Sequence, residues 1–276
     1  MIHQIWDWRT VDTLKMFAQK WMPEKDFKAS IILVHGFGEH SSRYEHLAEF
    51  YCQHSIQVLT YDLRGHGRSE GPRGYIPTPT AYYDDLGEFI KNVKDSVSGK
   101  PVFLYGHSMG GMIVLDYVLK YKPTFIGVIA TSPLIDTATP MSESTLKLAR
   151  TLNKIAPKFA MDSGLDRSGL SRDQKVVDAY NADPYIFGKA TTRLGVYLAD
   201  TKVYLQKHAS EFSLPLLTMV GSADRIVSKP EVDKFMSANP KATYKVWDGF
   251  YHELHNEPEK AQVFDYTLAW IKKMMK

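Results

Sequence analysis

Short apolar runs rich in β-branched residues alternate with amphipathic helical stretches along most of this chain, and that alternation constrains the fold more than any other feature. Ser30–His35, Gln57–Tyr61, Val102–Tyr105, Phe125–Thr131, Leu214–Val220 and Tyr244–Trp247 read as buried strands. Between them, helical spacing is expected over Arg43–His54, Ala81–Lys94 and Gly110–Tyr121, shortly after Pro230, and from Pro258 onward. In the second of these, Leu86, Phe89, Ile90 and Val93 share one face. Strands joined by helical crossovers pair in parallel, with helices on both faces of the sheet. The expected architecture is therefore α/β with a mostly parallel central sheet. Ile2–Trp8 and Leu14–Trp21 read as an antiparallel pair preceding it.

The alternation breaks once. Residues 132–212 are mostly helical in pattern and carry several Gly, Pro and Asp breaks. They read as a helical cap inserted into a core made of 1–131 and 213–276. Open α/β sheets bind ligands beyond the carboxyl ends of their strands, which is where such an insertion emerges. There is no internal repeat or low-complexity segment.

A formal net charge of +3, with Lys and Arg dispersed along the chain, excludes the clustered basic stripe that a nucleic-acid partner requires. The single cysteine, Cys52, permits no intrachain disulfide and reads as a small buried hydrophobe on a helix. The N-terminus lacks the layout of a signal peptide, and no apolar run approaches the ~18 residues of a membrane span, so a cytoplasmic protein is expected.

The sharpest local signal is Gly106-His107-Ser108-Met109-Gly110, between the strand Val102–Tyr105 and a helix opening Gly110-Gly111-Met112. Taken alone, such a five-residue pattern arises by chance in roughly one chain of this length in ten. Its strand-before, helix-after setting makes it a nucleophile elbow, the turn that lifts a serine hydroxyl above the sheet of an α/β hydrolase. Ser108 is the expected nucleophile, and the helix N-terminus beneath it favours an anion forming above.

A serine nucleophile needs a base, and the base an orienting carboxylate, in the chain order Ser, acid, His. Asp224 follows the strand Leu214–Val220, and His252 lies in the loop after Tyr244–Trp247, so both stand at carboxyl ends of strands. Asp248 competes as the acid but reads as a turn former. His255 competes as the base but is expected farther from the serine, at the start of the last helix. Most of the remaining histidines are expected at the surface or as satisfied polar groups. Oxyanion donors are expected from the backbone N–H of Met109 and of Phe37, in the loop His35-Gly36-Phe37-Gly38. His35 itself reads as a brace for that loop. No metal or organic cofactor is called for: His252 and His255 have no third ligand near in sequence.

With these residues in view, the chain resembles the monoacylglycerol lipases. The likeness rests on His35-Gly36-Phe37-Gly38-Glu39-His40-Ser41-Ser42-Arg43-Tyr44, Gly65-His66-Gly67-Arg68-Ser69-Glu70-Gly71, Gly106–Gly111, Ser132-Pro133-Leu134, Tyr180-Asn181-Ala182-Asp183-Pro184, Gly221–Arg225 and Tyr251–His255. It implies an α/β-hydrolase fold and cleavage of a monoacylglycerol ester to free fatty acid and glycerol, with a cap bordering an acyl tunnel. It also implies a polar pocket for the glycerol head at Glu39, Arg43, Tyr180 and His255. From spacing alone, Glu39 and Arg43 equally suit a surface ion pair one helical turn apart.

Within the expected cap, Leu148, Leu152, Ile155 and Phe159 form a helical stripe, with Lys147, Arg150, Lys154 and Lys158 elsewhere around the helix. Such a helix either packs on the core or docks on anionic lipid as a peripheral membrane contact. Rival readings on the same fold are a broad carboxylesterase, a lysophospholipase, whose charged substrate head Arg43 would favour, and an aminopeptidase, whose peptide amine Asp162, Asp166 and Asp173 would serve. A non-catalytic receptor on this scaffold would be expected to lack a triad member, and none is missing.

Overall fold

Strand β3 (Ala29–Val34) is buried at every position because helices cover both faces of the sheet. Ile31 and Leu33 enter one apolar cluster, and Ile32 and Val34 the other, as the two-residue period of a strand requires. The computed structural model describes residues 1–276. In chain order its elements are β1 (Ile2–Arg9), β2 (Lys15–Met22), β3, α1 (Glu45–Gln53), β4 (Ile56–Tyr61), α2 (Ala81–Asn92), α3 (Lys94–Val97), β5 (Val102–His107), α4 (Met109–Tyr121) and β6 (Gly127–Thr131). Then come α5 (Glu143–Ile155), β7 (Ala160–Asp162), α6 (Gln174–Ala182), β8 (Lys189–Thr191), α7 (Thr192–His208), β9 (Leu216–Gly221), α8 (Lys229–Ser237), β10 (Thr243–Trp247) and α9 (Lys260–Met274).

Eight strands form one sheet in the order β1-β2-β4-β3-β5-β6-β9-β10. β1 pairs antiparallel with β2, and β2 antiparallel with β4; every other pairing is parallel. Helices α1 and α9 cover one face, while α2, α4 and α8 cover the other. β3 and β5 are neighbours whose connections leave in opposite directions, one to β4 and the other to β6. Their carboxyl ends thus flank a topological switch point, the crevice where such sheets place ligands.

The segment between β6 and β9 is not wholly helical. β7 and β8 form a two-stranded antiparallel ribbon, too short and too interrupted by polar residues to announce itself by alternation. The segment touches loops at the carboxyl edge of the main sheet. Phe187 N–H donates to Gly38 O, the Thr191 N–H to Gly74 O, and the His252 N–H to Gly169 O. The expected helix from Arg43 begins as a single 3-10 turn, Ser41–Tyr44, before α1. Cys52 is buried on α1, and burial pushes its thiol up to about 12. No helix is long and apolar enough to cross a membrane.

Candidate active site

Ser108 sits between β5 and α4 with φ 53° and ψ −119°, a conformation that non-glycine residues rarely adopt. Neighbouring backbone overdetermines it. Its N–H donates to Thr131 O, and its carbonyl accepts the Met112 and Leu134 N–H groups. The turn is tight enough that only glycine fits beside it. A Cβ on Gly106 would lie 2.4 Å from Gly110 O, and one on Gly110 would lie 2.1 Å from Val34 O.

Asp224, at the end of β9, accepts backbone N–H bonds from Ile226 and Val227 through Oδ1, leaving Oδ2 for His252 Nδ1 at 2.8 Å. Both side chains are almost fully buried. Burial alone would lower the imidazole's proton affinity and raise the carboxyl's. The opposite charges at this distance win, raising His252 above its ordinary value and lowering Asp224 below its own. Because Nδ1–H is committed to the carboxylate, Nε2 is the basic nitrogen. Asp248 instead accepts from Ser222 Oγ at the surface. His252 is further held by its own backbone: its carbonyl accepts the Ser132 hydroxyl at 2.7 Å. Ser132 lay within a recognised stretch, but nothing in its spacing announced this contact across the sheet's end.

The loop after β3 passes directly beside the serine: a Cβ on Gly36 would lie 3.2 Å from Ser108 Cβ. Leu63 N–H donates to His35 Nε2, so the proton is on Nδ1 and donates to Gly36 O at 2.8 Å. In a trans peptide the C=O and N–H point opposite ways, so this bond also fixes the direction of the Phe37 N–H. Neither the Phe37 nor the Met109 N–H is taken by a protein acceptor.

Glu39 is buried against the same loop. Its Oε1 accepts Gly36 N–H at 2.6 Å and Tyr44 OH at 2.7 Å, and its Oε2 pairs with Arg43 at 2.5 Å. Burial opposes ionisation, but Arg43 and the surrounding imidazoles and hydroxyl hold Glu39 down at about 2. The Glu39–Arg43 pair is thus a buried one, not the surface contact that spacing alone allowed. Arg43 also engages Glu253, which the sequence did not single out; an acid beside His252 carries no sign of a partner 210 positions away. Its guanidinium lies 4.7 Å from the Tyr180 ring centre.

His255 lies in a 3-10 turn, Leu254–Asn256, before α9, fully buried and stacked on Tyr44 with ring centres 4.6 Å apart. Its ring centre is 4.8 Å from that of His107, which is likewise 4.8 Å from His252. Burial, then the neighbouring imidazoles and Arg43, drive His255 well below the ordinary imidazole value. Neither of its ring nitrogens has a protein partner. Of the other histidines, His3, His46, His54 and His208 are exposed or half-buried, and the buried His35, His40, His66 and His107 each make at least one hydrogen bond, so His255 is the one that departs from the expectation of surface or satisfied groups. His35, His40, His66, His107 and His255 are all buried, packed between the loops that carry the chemistry.

Comparison with known proteins places the chain in a family. The family model described as serine aminopeptidase, S33, covers residues 25–259. The monoacylglycerol lipase of Mycolicibacterium smegmatis is 32% identical over 95% of this chain and 94% of its own. The monoglyceride lipase of Rattus norvegicus is 36% identical, over 88% of this chain and 81% of its own. The chain belongs to the monoglyceride lipase family of α/β hydrolases. Membership makes it an ester hydrolase. The crystal structure of Paleococcus ferrophilus monoacylglycerol lipase superposes with a TM-score of 0.82 at 28% identity, covering 94% of this chain and 98% of that one. Not every relative is of similar length. The chain spans 28% of an uncharacterized abhydrolase domain-containing protein of Dictyostelium discoideum to which it is 33% identical.

Proposed function

We propose that this monoglyceride-lipase family member cleaves the ester of monoacylglycerols through an acyl-enzyme on Ser108. His252 Nε2 takes the Ser108 hydroxyl proton as Oγ attacks the acyl carbonyl. The Phe37 and Met109 N–H groups receive the oxyanion. The imidazolium, stabilised by Asp224, returns the proton to the departing glycerol oxygen. Water deprotonated by His252 then releases the fatty acid. The observation that carries this reading is the buried Asp224–His252 hydrogen bond at 2.8 Å, which leaves Nε2 as the base.

For the head group, we assign Glu39, Arg43, Tyr180 and His255 to the glycerol pocket. Here the charges favour a neutral head. Glu39 and Glu253 together carry −2 against the +1 of Arg43, leaving −1, and His255 is held neutral. A lysophospholipid phosphate would find its candidate arginine already occupied, so a monoacylglycerol is the better fit. A peptide amine finds no free acid either. Asp166 caps a helical turn and pairs with Arg225, Asp173 caps α6, and Asp162 caps a local turn at Gly164.

Residues 132–212 serve in this reading as a cap that borders the acyl chain. The expected stripe is broken: α5 ends at Ile155, so Phe159 stands in the turn beyond it, and Leu152 is half-buried, but Leu148, Ile155 and Phe159 are each more than half exposed, which supports docking on a lipid surface over packing on the core. Hydrolysis of mono-, di- and triacylglycerols, lysophospholipids and peptide amides, with Ser108→Ala as control, tests the assignment. Monoacylglycerol is expected to be preferred and Ser108→Ala inactive. Activity retained in Ser108→Ala overturns the mechanism, and a preference for lysophospholipid or peptide overturns the substrate.

A further inference from the structure

The oxyanion loop is braced from two sides, and only one brace belongs to the core. On the Gly36 side, His35 holds the carbonyl and Glu39 the N–H. On the Gly38 side, the carbonyl is held by a residue of the cap: Phe187 N–H donates to Gly38 O at 3.1 Å. Gly38 has φ +73°, and a Cβ there would lie 2.3 Å from Phe187 O, so the two backbones approach as closely as glycine permits.

The Phe187 ring completes the contact. It stands edge-on to Phe37 with centres 5.3 Å apart, and lies 4.8 Å from the ring of His66, which in turn leans on His35 at 5.4 Å. The segment that carries Phe187 is rigid and doubly tied. Asp183 Oδ1 accepts the Tyr185 N–H, its backbone carbonyl accepts the Ile186 N–H, and its Oδ2 lies 2.8 Å from His40 Nε2 on the same core loop.

From these contacts we infer that Phe187 is a positioning residue for the oxyanion hole: seating the cap on Gly38 and Phe37 locks the Phe37 N–H in place. Without that contact only the His35 and Glu39 bonds at Gly36 hold the loop, and because Gly38 has no Cβ to limit its rotation, the Phe37 N–H is aimed from one side alone and its direction loosens. Cap docking then sets the rate of acyl transfer rather than the affinity for substrate. The inference rests on the assignment of Phe37 as an oxyanion donor.

The test compares Phe187→Ala and Phe187→Leu with the native enzyme on p-nitrophenyl acetate, whose acyl group is too short to need the cap, and on a long-chain 1-monoacylglycerol. Misaiming one donor should lower kcat on both esters by about tenfold or more in Phe187→Ala, with KM within about twofold. Affinity for an alkylboronic acid, which forms a tetrahedral adduct on Ser108, should fall by a similar factor. Phe187→Leu keeps bulk at the site and should fold, with a smaller kcat loss of the same kind. The proposal is overturned if kcat on the acetate ester is unchanged in both variants, or if only KM for the long ester rises, the mark of a plain substrate contact. A chain that hydrolyses the acetate ester but no monoacylglycerol defeats the substrate assignment and leaves this test standing.

Discussion

Arg43 donates twice to the carboxylate of Glu253, at 2.6 and 2.7 Å, while its Nη1 also reaches Glu39 at 2.5 Å. One guanidinium thereby ties the loop after β3 to the loop bearing His252. The three groups are not interchangeable. Replacing Arg43 leaves two buried carboxylates facing each other, whereas Glu253→Gln leaves a matched pair. Removal of one partner from a buried ion cluster costs about 3–5 kcal/mol, and loss of one charged hydrogen bond about 1–3. Arg43→Ala should therefore unfold at lower urea than Glu253→Gln at pH 7. In the native chain Glu39 sits at about 2, below the ordinary 4.5, so its stabilisation is full above 4.5 and lost as pH falls toward 2. Arg43→Ala removes the largest of the contributions that lower Glu39, so its deficit should shrink on acidification. Equal urea midpoints for the two variants at pH 7 would exclude this role for the guanidinium.

Catalysis should follow the titration of His252. Its folded value lies above the ordinary 6.5, since the Asp224 charge outweighs the effect of burial. The base is thus unavailable until pH exceeds that raised value, and kcat/KM should climb through it to an alkaline plateau. Asp224→Asn removes the charge that raises His252 and the group that fixes its tautomer. Its plateau should drop by about 10⁴-fold, and its ascending limb should move to lower pH. An unmoved limb would separate Asp224 from the titrating base.

Legibility in the sequence followed the range of the interactions. The elbow at Ser108 was plain because five consecutive residues and their flanks carry it, and the positions of Asp224 and His252 followed from strand ends. The parallel sheet was plain because buried strands read as unbroken apolar runs. Glu253 and Ser132 lie in stretches that carry the family likeness but show nothing of their contacts, and Phe187 is silent. Each acts through a partner brought near only by the fold, as Ser132 does on the His252 carbonyl 120 positions away. The β7–β8 ribbon was silent because three-residue strands leave no period to detect.

Two glycines in helices should respond in opposite ways to alanine. Gly110, in the first turn of α4, meets backbone carbonyls of Val34 and His35 at 2.1 and 2.4 Å from any added Cβ. Backbone of the central strand does not yield, so Gly110→Ala should lose hydrolysis and fold poorly. Gly195, within α7, has nothing within 4 Å of that position. Gly195→Ala should therefore raise stability by roughly 0.5–1 kcal/mol with full activity, read as a higher Tm. Destabilisation by Gly195→Ala would mean that α7 uses that gap.

The exposed apolar residues of α5 and the turn after it make the last prediction. Leu148, Ile155 and Phe159 are 59%, 77% and 51% exposed, and Met161 close by is 46% exposed, so burying them in the chain's own core is not what selects them. The exposed Lys147 and Lys154 are placed to meet anionic headgroups. Insertion of three large apolar side chains into the interface is worth several kcal/mol, at about 25 cal/mol per Å² buried. The triple variant Leu148→Ser, Ile155→Ser, Phe159→Ser should lose sedimentation with vesicles containing phosphatidylglycerol by tenfold or more, about 1.4 kcal/mol or greater. Its rate on p-nitrophenyl acetate should be unchanged, because all three side chains are more than half exposed. Charge reversal at Lys147 and Lys154 should weaken binding further at low salt and little at high salt, where surface charges are screened. Vesicle binding unaffected by either set would exclude these residues as a lipid-docking surface.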